Sequence, residues 1–260
     1  MDEHAEELAV GKTAPADKSR QNEALRKKAI SDHKKNEEIL SSCSYCPSSP
    51  AFAKHLMVAT GSKTYLALPE KGTLTKGHCI IAPIDHLHAT SSVDEEVWQE
   101  IRNFKKCLMR MFHEENRGVV FLEMTSEPKK QRHTYVECIP LPADLAQDTP
   151  IYFKKALSES DELWSQHAKI IETKGKGLQR SVAKGFSYFY VEFGLDDGYV
   201  HVVEDSSKFP WYFGKEVIGG MLELEPSAWL KPKKQGFEAD KKRVLDFAKQ
   251  WTPFDWTTQL

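Results

Sequence analysis

From Cys43 onward the chain reads as short apolar runs cut by glycine and proline, and that rhythm allows few folds. "HLMVAT", "TYLALP" and "HCIIAP" are three such runs. Each has the length of a strand, with turn residues close by. "SSVDEEVWQEIRNFKKCLMRMFHEE" follows and reads as a helix. Its apolar face is Val97, Ile101, Phe104, Leu108 and Met111. Ser92 and Glu95 have the spacing of a capping box at its start. "VVFLEM" and "HTYVECIPLP" then give two more strands. The order βββαββ predicts an α+β fold, an antiparallel sheet with a helix packed on one face.

"PADLAQDTP", with a proline near each end, reads as a boundary. It divides a first module at residues 42–142 from a second α+β module at 143–260. In the second, "IYFKKALSESDELWSQHAKII" reads as a helix. "FSYFYVEF" and "YVHVVED" read as paired strands joined by the turn signal "GLDDG". "GKEVIGGML" reads as a helix start or a tight packing point. A last helix, residues 238–251, places Val244, Leu245, Ala248 and Trp251 on one face. The aromatics Trp164, Tyr188, Trp211, Trp229 and Trp251 suffice for a core shared between the modules. Ahead of both lies a charged extension, residues 1–41. It is expected to be disordered up to about residue 20. Beyond that it has helical composition and a thin apolar stripe (Leu25, Ala29, Ile39, Leu40), a helix that needs a partner. The abrupt start suggests a piece of a longer protein.

Composition excludes some classes of function. The formal net charge is -2, so any nucleic-acid surface must be local. No apolar run reaches the roughly 20 residues that span a bilayer, and no secretory signal is evident. Five cysteines in a chain this long do not make a disulfide scaffold. An odd count with one close pair points to an intracellular protein with that pair on a metal.

Chemistry concentrates in two places. In the last strand of the first module, His133, Tyr135 and Glu137 share one face at about 6.6 Å spacing, and Thr134, Val136 and Cys138 share the other. The first face can be a catalytic row, a metal site or only the wet side of a sheet. "CSYC" supplies Cys43 and Cys46 as C-x-x-C, which chelates a soft cation such as Zn²⁺. Two buried cysteines in a turn are the plainer alternative. Candidate histidines are His86, His88 and His133, too far apart for a local zinc-finger spacing.

These motifs carry a resemblance. C-x-x-C, then "HCIIAPIDH", then "HTYVECIPLP" resembles the histidine-triad superfamily. Within it, the chain is similar to the C-terminal region of CwfJ-type splicing proteins. "TPIYFKKALSESDELWS" and "HVVEDSSKFPWYFGKEVIGGMLELEP" resemble the second CwfJ C-terminal domain. The similarity spans about residues 40–256. The resemblance implies a structural zinc on Cys43, Cys46, His86 and His133, with His88 competing for the place of His86. Two thiolates and two imidazoles leave no open position for water, which makes such a site structural.

The resemblance also implies where chemistry would occur, and there the chain departs from it. Active histidine-triad enzymes attack a nucleotide α-phosphate with the middle histidine of their motif. Here that position is Tyr135, and the third is Glu137. A phenol with a pKa of about 10 is a poor nucleophile, and a nearby carboxylate disfavours both phenolate and phosphate. The expected function is therefore a non-catalytic, nuclear spliceosomal factor, with Tyr135 and Glu137 lining a remodelled groove. The family implies the post-splicing, intron-lariat stage, with spliceosomal proteins, intron lariat or snRNA, and the lariat-debranching enzyme as partners. Lys129, Lys130, Arg132, Lys174, Lys176, Arg180 and Lys184 are the expected RNA contacts, and glycines 175 and 177 would let backbone N–H groups approach phosphate. "KPKK" and "KKR", between Lys231 and Arg243, add a further basic cluster. The alternatives are a divergent histidine-triad hydrolase or transferase, and a scaffold that binds protein alone.

Overall fold

The structure, a computed structural model, describes residues 15–125, 132–159 and 167–259. It has two compact units, the first ending at Ser42 and the second starting at Cys43.

The described part of the first unit is helix α1 (Pro15–Ser42). It begins inside the stretch expected to be disordered. Lys27 and Glu23 pair one turn apart along it, at 2.7 Å. Its large apolar side chains Leu25, Ile30 and Leu40 are exposed.

The second unit is built on one antiparallel sheet. Its strands are β1 (Met57–Thr60), β2 (Thr64–Ala67), β3 (Cys79–Pro83), β4 (Arg117–Met124), β5 (Val136–Pro142), β6 (Ile171–Glu172), β7 (Tyr188–Glu192) and β8 (Gly198–Val202). Their spatial order is β1-β2-β3-β5-β4-β7-β8-β6. The helices are α2 (Glu95–Glu114), α3 (Ala143–Ser158), α4 (Leu178–Ser181), α5 (Phe213–Met221), α6 (Ser227–Leu230) and α7 (Phe237–Trp251). β4 and β7 pair directly, with Leu122 opposite Val191, so the sheet runs across the expected boundary without a break.

Alternation along the central strands makes two cores. Val119, Phe121, Val136 and Cys138 face α2 and α7, against Ile101, Phe104, Leu108, Phe247 and Trp251. Val120, Leu122, Ile139 and Leu141 face α3 and α5, against Phe153, Leu157, Phe213 and Ile218. Helices therefore cover both faces, where the first-module pattern alone predicts one. The face that bears Glu137 is dry beyond that residue, because Ile139 and Leu141 continue it under α3 and α5.

Several local expectations differ from the structure. Ser92 lies in a 3-10 turn and donates its hydroxyl to the Ala89 carbonyl, so it cannot cap α2; Asp94 holds the N-cap position. α2 ends where Asn116 adopts the left-handed conformation, φ 56°. α3 starts at Ala143, with Pro142, the last residue of β5, at its N-cap and Pro150 inside it, so the expected boundary stretch is mostly helix. It ends at Ser158, and His167 to Ile170 are not helical. α7 is turned relative to the expected stripe: it buries Phe247 and Trp251 and leaves Leu245 exposed. Of the core aromatics, Tyr188, Trp229 and Trp251 are buried, Trp211 is 58% exposed, and Trp164 lies outside the described residues.

Candidate metal centre and adjoining groove

Three separate backbone segments bring the Cys/His cluster together. The C-x-x-C loop is pinned to β2, where the Tyr65 hydroxyl donates to the Tyr45 carbonyl at 2.6 Å. The loop after β3 carries His86. It is tied to the approach of β5 by Thr134 N–H donating to the Leu87 carbonyl at 2.7 Å. The carboxylate of Glu123 on β4 accepts from the Thr90 amide at 2.8 Å and the Thr134 hydroxyl at 2.6 Å, fixing the same loop from below. His133 sits just before β5, and its Nε2 donates to the Pro83 carbonyl at 3.0 Å. That bond leaves the lone pair on Nδ1, the atom that faces the cysteines.

Cys46 Sγ lies 3.1 Å from His86 Nδ1 and 3.3 Å from His133 Nδ1, and Cys43 Sγ lies 3.7 Å from His133 Nδ1. All four donor atoms fall within 4.8 Å of one another. A tetrahedral zinc with ordinary Zn–S and Zn–N bonds separates S from N by about 3.6 Å, so the geometry fits the ion. Burial and the neighbouring His86 hold the His133 imidazole down, to about 4, which keeps it neutral. Burial, then Cys43, pushes the Cys46 thiol up to about 12. A dication reverses that preference, because a coordinated thiol loses its proton. His88 is not in the cluster; its Nδ1 is 3.2 Å from the Arg132 carbonyl oxygen.

Tyr135 and Glu137 line a cleft of about 360 Å³ beside this centre. The Tyr135 ring stacks on Tyr45, centroids 4.4 Å apart. Burial, then Tyr45 and Glu137, raises its phenol well above the usual tyrosine range. Glu137 Oε1 meets Lys215 Nζ of α5 at 2.6 Å, both side chains nearly buried. The groove is thus completed by Lys215 and by the exposed Trp211. Sequence reasoning missed the roles of Tyr45, Lys215 and Trp211. Tyr45 between the two cysteines was a readable signal, whereas Lys215 in "FGKEV" gave none.

None of the expected basic contacts among the described residues is a member of the Cys/His cluster. Arg132 is exposed in the approach to β5, and Lys129 and Lys130 lie outside the described residues. Lys174, Lys176, Arg180 and Lys184 are exposed around α4, with Lys174 3.8 Å from Asp197. Gly175 and Gly177 have φ of 75° and 71°. The Lys176 and Gly177 amides both donate to the Thr173 carbonyl, at 2.9 and 2.8 Å. These glycines therefore make a tight turn, and the Gly177 N–H is already used within the fold.

Comparison with known proteins places this architecture. The family described as "Protein similar to CwfJ C-terminal" matches residues 30–154, and "Protein similar to CwfJ C-terminus 2" matches residues 163–257. CWF19-like protein 2 of Homo sapiens is 46% identical over 97% of this chain, which spans 28% of that protein. Pre-mRNA-splicing factor cwf19 of Schizosaccharomyces pombe is 36% identical over 88% of this chain, and 37% of its own length is covered. Among solved structures, a Hit-like protein involved in cell-cycle regulation from Bartonella henselae aligns over 34% of this chain and 69% of its own, at 13% identity and a TM-score of 0.25. That likeness is too slight to carry an argument. With two consecutive family regions spread over most of its length, the chain belongs to the CwfJ C-terminal family.

Proposed function

We propose that this chain is the non-catalytic, zinc-stabilised part of a nuclear splicing factor that binds RNA and protein partners at the post-splicing, intron-lariat stage. The names of its relatives support the splicing role. The family resemblance supports the stage, the lariat or snRNA as RNA partner, and the debranching enzyme as neighbour. Cys43, Cys46, His86 and His133 would hold the zinc, which joins the C-x-x-C loop, the β3 exit and the β5 approach. Arg132, Lys174, Lys176, Arg180 and Lys184 are exposed cations suited to phosphate, and Lys129 and Lys130 extend that set in sequence.

One observation carries the non-catalytic reading: the pair that stands where the histidine-triad pattern has its second and third histidines. Tyr135 keeps its proton, its phenol raised far above neutral pH by burial. Glu137 is engaged by Lys215. Neither group is a free nucleophile. The test is incubation with an adenylylated amine and with diadenosine nucleotides. No AMP above the protein-free control is expected. AMP release abolished by Tyr135→Phe would overturn the reading.

A further inference from the structure

The cleft beside Tyr135 does not end at the metal centre. Its far wall is Glu70, Lys71 and Pro232, and the same three residues form one side of a second hollow of about 300 Å³. Lys231 and Lys233 line that second hollow. The shared wall makes the two a single trough. It crosses the join between the family regions: Lys71 comes from the first, and Trp211, Lys231 and Lys233 come from the second.

The trough combines one bare aromatic face with an excess of positive charge. Trp211 is 58% exposed, although it sits only two residues ahead of the buried Phe213. Both carboxylates along the trough are matched by lysines, Glu137 by Lys215 at 2.6 Å and Glu70 by Lys234 at 2.7 Å. Lys71, Lys231 and Lys233 are exposed, and among the described residues no ion pair engages them. In a chain of net charge -2, three such lysines in one trough are a local feature. An acidic peptide would use the lysines but has little use for an indole beside them. A single-stranded nucleic acid uses both, because a base stacks on the ring while its phosphates meet the ammonium groups.

We infer that this trough is the single-stranded RNA site of the chain, with a base on Trp211 and the backbone on Lys71, Lys231 and Lys233. The inference rests on the RNA-binding reading above and gives that reading a different address from the Lys174–Lys184 surface. Stacking accepts any base, so sequence preference is slight.

The test is fluorescence anisotropy of a fluorescein-labelled twelve-nucleotide oligouridine titrated with the full chain at several salt concentrations. Trp211→Ala weakens binding about fivefold or more, the loss of one stacked base. The triple variant Lys71→Gln, Lys231→Gln, Lys233→Gln weakens it further and lowers the log–log salt slope by about 2, three contacts on a single strand. All four side chains are exposed, so unchanged thermal melting is the check on folding. Binding untouched by these variants but lost on neutralising Lys174, Lys176, Arg180 and Lys184 overturns the trough and leaves the RNA reading standing. No binding of the unaltered chain at low salt overturns both. Equal binding of polyglutamate, lost in the triple variant and indifferent to Trp211→Ala, makes the trough a peptide site and overturns the inference.

Discussion

Lys105 of α2 and Glu192 of β7 form an ion pair shut away from water, each side chain 3% exposed. The Lys105 ammonium also lies over the rings of Phe121, Trp98 and Tyr190, at 5.2 to 5.9 Å. Glu192 accepts a further bond from the Asp196 amide at 2.8 Å. Next to it, Arg102 pairs with Asp196. α2 belongs to the first family region and β7 to the second, so the pair locks the two regions together. Removing one partner strands a buried charge. Lys105→Met is therefore expected to cost about 3–5 kcal/mol of stability. Lys105→Met with Glu192→Leu should cost much less than the two single changes summed. Urea denaturation of the four proteins checks it, and additive losses would count against the pair.

Two adjacent glycines in α5 are expected to respond oppositely to the same change. A Cβ on Gly219 would lie 2.3 Å from the Trp229 ring, whereas one on Gly220 meets nothing within 4 Å. Gly219→Ala is expected to destabilise by about 1–3 kcal/mol through overpacking. Gly220→Ala is expected to stabilise by about 0.4–1 kcal/mol, since alanine restricts the unfolded chain at no steric cost. Thermal melting compares them directly.

His78 makes acid stability sensitive to one residue. It is buried, and its Nδ1 accepts the Leu74 amide at 3.2 Å. Burial first, then Lys215 and Arg243, holds its pKa well below the ordinary histidine value. The unfolded state thus binds this proton before the folded state does. The contribution is fully present above about pH 6.5 and declines by up to about 1.4 kcal/mol per unit as pH falls below it. His78→Gln is expected to flatten the loss between pH 6.5 and 5. Urea midpoints of both proteins across that range provide the measurement.

How far the sequence could be read depended on range. Strand alternation is local, and it correctly separated Val136 and Cys138 from Tyr135 and Glu137. The helical stripe from Val97 to Met111 is equally local, and every member is buried. Capping was misread because Ser92 satisfies its hydroxyl within its own turn, a competition that spacing does not reveal. The stripe on α7 was misassigned because Phe247 packs beside α2, and that contact is set by tertiary structure. Lys215 could not be paired with Glu137 in advance, since 78 residues of chain separate them and only the β4–β7 register brings α5 over β5. The Cys/His cluster was approachable only because a family pattern supplied the long-range pairing that coordination chemistry alone left open between His86 and His88.

The ligand set makes its own contrast. Cys43→Ala or His133→Ala is expected to abolish metal retention and to destabilise the second unit by several kcal/mol, as metal binding is coupled to folding. His88→Ala should keep the metal, because His88 faces the Arg132 carbonyl and not the cysteines. Loss of metal in His88→Ala with retention in His86→Ala would reassign the fourth ligand.

The most direct measurement is the metal content of the pure, folded chain by inductively coupled plasma mass spectrometry, alongside circular dichroism. One zinc per chain, lost in His133→Ala and kept in His88→Ala, is the predicted result. A folded protein with a stoichiometry near zero would contradict the account.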